Sequence, residues 1–245
     1  MKAIGVATAV AILGSFVVGG CGDDSTTLRV MAASSLTGAF AEIESTFEDA
    51  NPGVDVVVIG ASSSALAAQI VDGAEIDVFA SADQAQFSRA ADVVDFDAPR
   101  TLATNSLVII VPPGNPRDVR GLGDLARDDV LVATAADDVP IRKYTDRLLE
   151  AAGVTAHFIT FEANVAGIVT KVSTGAADAG VVYVSDLFGA DVDSVTIPVE
   201  QNLIASYPIA AAADSDRSTI ARRFVDFALS TDGRAILVSY GFTAP

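Results

Sequence analysis

Residues 28–53 read LRVMAASSLTGAFAEIESTFEDANPG, a strand, a turn and a helix in unbroken succession. Leu28–Ala33 is a short apolar run that suits a buried strand. Leu36, Phe40, Ile43 and Phe47 then recur at spacings of four, three and four, which lays one apolar stripe along a helix. Asn51-Pro52-Gly53 stops that helix. Strand, serine-bearing turn and helix in this order form the repeating unit of α/β architecture.

The same alternation continues outward. Strands are predicted at 54–60, 76–81, 106–112, 130–135, 157–161, 179–185, 194–199 and 207–212, most of them rich in Val and Ile. Helices are predicted to start near Ser64, Asp83, Ile141 and Val165, and a C-terminal pair carries Ile220, Phe224 and Phe227, then Ile236 and Leu237. Pro112-Pro113-Gly114-Asn115-Pro116 breaks the chain directly after a strongly apolar strand. If that strand and Tyr207–Ala212 both cross between halves, the chain forms one lobe from 28–105 plus 207–245 and a second from 106–206, with a hinge between them. A single doubly wound sheet predicts the same string of elements.

The N-terminus has a different character. Lys2, the apolar run Ala3–Val18 and the small pair Gly19-Gly20 are ordered as an export signal over residues 1–20. The apolar stretch falls short of the roughly 20 residues that a spanning helix needs. Cys21, the only cysteine, follows Val18-Gly19-Gly20 and resembles the lipobox of bacterial lipoproteins, which implies cleavage before it, lipidation of its thiol and a tether over 21–27. Removing residues 1–20 takes away one of the 15 Lys and Arg and none of the 32 Asp and Glu. So acidic a surface repels nucleic acid and anionic lipid.

Four junctions could hold an anion. Ala33-Ser34-Ser35-Leu36 and Ala61-Ser62-Ser63-Ser64 end strands, and Asp138-Val139-Pro140-Ile141 and Glu162-Ala163-Asn164-Val165 lead into helices. At each, backbone N–H groups lie at a helix start, where they lack intrahelical acceptors and sit at the positive end of the dipole. Plain N-capping by the serines is the other reading of each cluster. Two clusters in equivalent places favour a ligand.

The ordered set Val30-Met31-Ala32-Ala33-Ser34-Ser35-Leu36, Gly60-Ala61-Ser62-Ser63-Ser64-Ala65-Leu66 with Gln69-Ile70, Asp77-Val78-Phe79-Ala80-Ser81-Ala82-Asp83, Asn105-Ser106-Leu107-Val108, Val139-Pro140, Gly180-Val181-Val182-Tyr183 and Tyr240-Gly241-Phe242 resembles the molybdate-binding proteins of bacterial ABC importers. These belong to the type II periplasmic binding protein superfamily. The resemblance implies an α/β fold of two lobes, each with a parallel or mixed sheet flanked by helices, joined by two crossover strands. It also implies a monomer that captures molybdate or tungstate and delivers it to a permease driven by a cytoplasmic ATPase, with no catalysis, no cofactor and no direct ligand to the metal. Its oxyanion donors would be the hydroxyls and amides of Ser35 and Ser63, the amides of Ile141 and Val165, and the Tyr183 phenol. Ser35→Ala and Ser63→Ala should each weaken binding and leave the ligand-free fold close to unchanged. Ile141 and Arg142 stand where the family commonly has small residues and glycine, and Asn164 replaces a common acidic residue. Arg142 would bring a charge to the pocket if it faced inward.

Other chemistry has less support. Tyr183, at the end of an apolar strand, also reads as core, and Asp77 and Asp83 read as metal ligands or as caps of the turn they bracket. His157, the only histidine, falls at a strand edge, and no Gly-x-Ser-x-Gly elbow surrounds any serine, so a secreted hydrolase is the weaker alternative. A receptor for sulfate or phosphate on the same fold is the nearer one.

Overall fold

The computed structural model describes residues 26–244; the proposed signal, Cys21 and most of the tether lie outside them. Nine strands are present among the described residues: β1 (Thr26–Ala33), β2 (Val54–Ala61), β3 (Val78–Ala80), β4 (Arg100–Val111), β5 (Val132–Ala135), β6 (Phe158–Glu162), β7 (Ala179–Tyr183), β8 (Asp193–Thr196) and β9 (Ile204–Ala211). Seven helices accompany them: α1 (Thr37–Asp49), α2 (Ser63–Val71), α3 (Gln84–Ala91), α4 (Pro140–Ala152), α5 (Val165–Ser173), α6 (Ser218–Ala228) and α7 (Thr231–Ser239). Thr26 and Thr27, read from sequence as tether, are already paired with Val54 and Asp55 of β2.

The strands form one path, β2-β1-β3-β9-β4-β7-β5-β6, with β8 paired to β4. Pairs β1·β2, β1·β3, β5·β6 and β5·β7 are parallel, as crossover helices require. β9 and β4 run antiparallel to their neighbours and join the two parallel sets. β4 changes partner along its length: Arg100 to Ser106 pair with β9, and from Leu107 onward the strand pairs with β7. The sequence places the start of this strand too late, because Arg100-Thr101-Leu102-Ala103-Thr104-Asn105 mixes polar and apolar residues and lacks the Val and Ile run that follows.

The α1 stripe is buried as its spacing predicts, and Phe47 meets Phe224 of α6 edge to face with ring centroids 5.2 Å apart. On the other sheet face a second cluster gathers Met31, Leu66, Ile70, Phe79 and Phe87. α4 ends at Gly153, whose φ of 66° is left-handed. Gly153→Ala is expected to cost about 1 kcal/mol through that backbone conformation, since a Cβ there meets open space; urea unfolding of the two proteins measures it. No helix among the described residues is long and apolar enough to cross a membrane.

Candidate oxyanion site

The carboxyl ends of β1 and β2 and the N-termini of α4 and α5 converge on one small cavity. Its wall includes Ser34 and Ser35 from the turn after β1, Ser62 and Ser63 at the start of α2, Ala82, Val139-Pro140-Ile141, Val165 and Tyr183. All five residues predicted as oxyanion donors therefore meet at one place. None of the lining residues carries a charge.

Local chain chemistry explains why donors face this space. Ser62 is the N-cap of α2 and accepts from the Ala65 N–H at 3.3 Å, so the cap falls to Ser62 and leaves the Ser63 hydroxyl for another use. Ser63 Oγ accepts the Ala82 N–H at 2.8 Å, which leaves its own proton free to be donated. α4 starts Val139-Pro140-Ile141 with no side-chain cap; proline has no N–H, and the Ile141 amide is the first donor of that terminus. Asn164 caps α5 through the Gly167 N–H at 3.1 Å, so Val165, the first helical residue, keeps its amide unclaimed by the cap.

Tyr183 closes the cavity at the end of β7. Its side chain is 2 % exposed, yet its phenol oxygen has no hydrogen-bond partner. A buried hydroxyl left unpaired costs about 1–3 kcal/mol, and the residue that carries this one lines the cavity. Burial pushes the Tyr183 phenol well above its ordinary value, with the nearby Tyr207 adding to the effect, so it stays a neutral donor. Tyr144 and Tyr207 pack edge-on against it at centroid distances of 6.1 and 5.8 Å.

Two flanking residues set the electrostatics. Arg142 turns away from the cavity: its guanidinium pairs with Asp137 at 3.0 Å and Asp146 at 2.7 Å and lies 4.9 Å over the Phe158 ring. The charge that sequence alone would allow into the pocket is thus neutralised outside it. Asp186, in the short 3-10 turn that follows β7, accepts the Tyr183 N–H at 2.9 Å. Burial raises its carboxyl to about 7, against the opposing pull of that N–H. With Ser34, Ser35 and Gly38 it lines the cleft next to the cavity, where the rings of Phe188 and Tyr240 approach to 4.3 Å.

Other predicted roles resolve differently. Asp83 caps α3 through the Gln86 N–H at 2.7 Å. Asp77 does not cap that turn: it accepts the Arg29 N–H at 2.7 Å and the Ser215 hydroxyl, and Arg217 approaches to 3.6 Å, so it ties β1 to the loop after β9. His157 is exposed just before β6. Sequence reading missed Ala82 as the partner of Ser63, and it missed Tyr207, whose hydroxyl lies 3.1 Å from Ser35 Oγ. The available signal for Tyr207 was one polar-tipped aromatic opening the otherwise apolar run Tyr207–Ala212.

Known proteins share this arrangement of elements. A family model described as bacterial extracellular solute-binding protein matches residues 28–243. The molybdate-binding protein ModA of Mycobacterium bovis is 38% identical over 219 residues, 88% of this chain and 84% of that protein. ModA of Escherichia coli is 31% identical over 246 residues, 95% of each. Among solved structures, the substrate-binding domain of a putative molybdenum ABC transporter from Clostridium difficile superposes with a TM-score of 0.69 at 29% identity, covering 89% of this chain and 99% of that one. The sulfate-binding protein SubI of Mycobacterium tuberculosis has the same fold, with a TM-score of 0.80 at 18% identity over 89% of this chain and 86% of that one. The chain belongs to the bacterial extracellular solute-binding protein family.

Proposed function

We propose that this protein captures molybdate or tungstate outside the cytoplasm and hands it to an ABC permease and its ATPase. The observation that carries the reading is a small cavity lined only by neutral groups, among them Tyr183 with its unpartnered phenol. The names of the relatives at 38% and 31% identity support the choice of anion. A desolvated dianion needs no cationic side chain if enough fixed dipoles converge on it, since each hydrogen bond to a charged group contributes roughly 1.5–3 kcal/mol. Ser35 and Ser63 supply hydroxyls and amides, Ile141 and Val165 supply amides, and Tyr183 supplies its phenol.

In this reading residues 28–105 and 207–245 form one lobe and 106–206 the other, with β4 and β9 as the hinge. The anion first meets Ser35 and Ser63; closure then brings Ile141, Val165 and Tyr183 onto its remaining oxygens. Residues 1–20 direct export and Cys21 carries the lipid that holds a monomeric receptor to the outer face of the membrane. The protein performs no catalysis and uses no cofactor.

A sulfate receptor is the second reading, favoured by the fold shared with SubI. Calorimetry with molybdate, tungstate, sulfate and phosphate tests both. Molybdate and tungstate are expected to bind with Kd in the range of about 1 μM to 1 nM, equivalent to about 8–12 kcal/mol. Phosphate near neutral pH carries a proton that needs an acceptor, and a cavity of donors leaves it unpaired, so phosphate is expected to bind at least about a hundredfold more weakly. Tight sulfate binding without molybdate binding overturns the first reading in favour of the second.

A further inference from the structure

Behind Ser35 lies a chain of buried polar groups that the donor set does not include. Ser35 Oγ is 3.1 Å from the hydroxyl of Tyr207, and either atom can donate across that distance. Tyr207 stands on β9 and is 0 % exposed. Asn105, also buried, stands on the facing strand β4, and its Nδ2 donates to Ser185 Oγ at 2.8 Å, two residues beyond Tyr183.

The direction of the Ser35–Tyr207 bond follows from counting protons. A phenol has one hydrogen to give. Tyr207 is fully buried, and Ser35 Oγ is the acceptor within reach of its hydroxyl among the described residues. A buried donor left unpaired costs about 1–3 kcal/mol. A serine hydroxyl that receives the phenol proton has its own proton left for the cavity. Turned the other way, Ser35 would give its proton to Tyr207, leave the phenol proton without an acceptor and present only lone pairs to an anion.

We infer that Tyr207 is a positioning residue that orients the Ser35 hydroxyl as a donor to the oxyanion. It touches no ligand; it fixes the polarity of a group that does. The inference rests on the oxyanion reading of the cavity and deepens it. Tyr207 lies on β9, one of the two strands that join the parallel sets of the sheet. The proton order at Ser35 is thereby tied to one of the strands that the proposed function takes as the hinge.

The test is a double-mutant cycle on molybdate affinity by calorimetry, with melting of the ligand-free proteins alongside. Tyr207→Phe is expected to weaken binding by about tenfold, as loss of proton order at one charge-assisted hydrogen bond would. In a Ser35→Ala background the same substitution is expected to change affinity by less than about twofold, because the hydroxyl it orients is gone. A purely structural role for Tyr207 predicts instead equal losses in both backgrounds, and that result overturns the inference. So does wild-type affinity in Tyr207→Phe. Failure of the wild-type protein to bind molybdate or tungstate rejects the underlying reading, and is distinguishable because it requires no variant.

Discussion

Ser63→Ala is expected to weaken molybdate binding by about ten- to a hundredfold and to destabilise the ligand-free protein by about 1–3 kcal/mol. The first effect follows from the geometry of the donor. Ser63 Oγ already accepts the Ala82 N–H at 2.8 Å, so its proton has the cavity as its outlet. A hydrogen bond to a charged acceptor contributes roughly 1.5–3 kcal/mol, and 1.4 kcal/mol is a factor of ten in affinity. The second effect follows from what alanine leaves behind. Ser63 is 1 % exposed, so the Ala82 amide loses its partner in a place that water does not freely reach. Sequence alone treats Ser35 and Ser63 as equivalent donors whose removal spares the empty fold. The structure separates them: Ser35 is only partly buried, and its bond is to the Tyr207 side chain rather than to a backbone amide. Calorimetry gives the affinity change and urea unfolding without ligand gives the stability change. Undiminished affinity in Ser63→Ala would remove Ser63 from the site, and undiminished stability would mean that the Ala82 amide finds another acceptor.

The legible part of this protein was what periodicity and junction chemistry can encode. The spacing of Leu36, Phe40, Ile43 and Phe47 specifies a helix face because only a period near 3.6 puts those four side chains on one side, and all four are buried. The four junctions were legible because strand ends followed by Ser, by an N-capping Asn or by Pro at the first helical position mark helix starts whatever lies around them. What bonds to each junction was not legible. Ala82 reaches Ser63 across 19 residues and Tyr207 reaches Ser35 across 172, and no local pattern carries a contact that the topology creates. The same limit applies to Arg142. Its neighbours in the chain place it one residue from a proposed donor, whereas its direction is set by Asp146 one turn along α4 and by Phe158 on β6. β4 shows the converse. Its first half pairs with β9 although its sequence is only weakly strand-like, because tertiary pairing overrides propensity.

Affinity for the anion is expected to fall as pH rises through about 7, and Asp186→Asn is expected to abolish most of that fall. The Asp186 carboxyl is raised from 3.8 to about 7 by burial, and the only opposing influence is the Tyr183 N–H; no cation contributes. A raised acid is held protonated by the fold, so its contribution to stability is greatest at low pH and is lost as pH rises from about 4 through about 7. Ligand binding has the same sign. Asp186 lines the cleft beside Ser34 and Ser35, and its bonded partner belongs to the residue that closes the cavity. An ionised carboxylate there repels a dianion, so the anion binds the protonated form and takes up a proton when Asp186 is ionised beforehand. In the limit where only the protonated form binds, affinity falls by about tenfold for each pH unit above the pKa. The Tyr183 and Tyr207 phenols are raised well above their ordinary values and stay neutral across this range, so neither produces such a fall. Calorimetry at about pH 6, 7, 8 and 9, in pairs of buffers with different ionisation enthalpies, reads both the affinity and the proton uptake. Asparagine keeps an oxygen to accept the Tyr183 N–H and cannot ionise, so its affinity should be nearly flat over the same interval. A slope in Asp186→Asn equal to that of the wild type would place the titrating group elsewhere in the cleft, because the carboxyl that accepts the Tyr183 amide would then be silent.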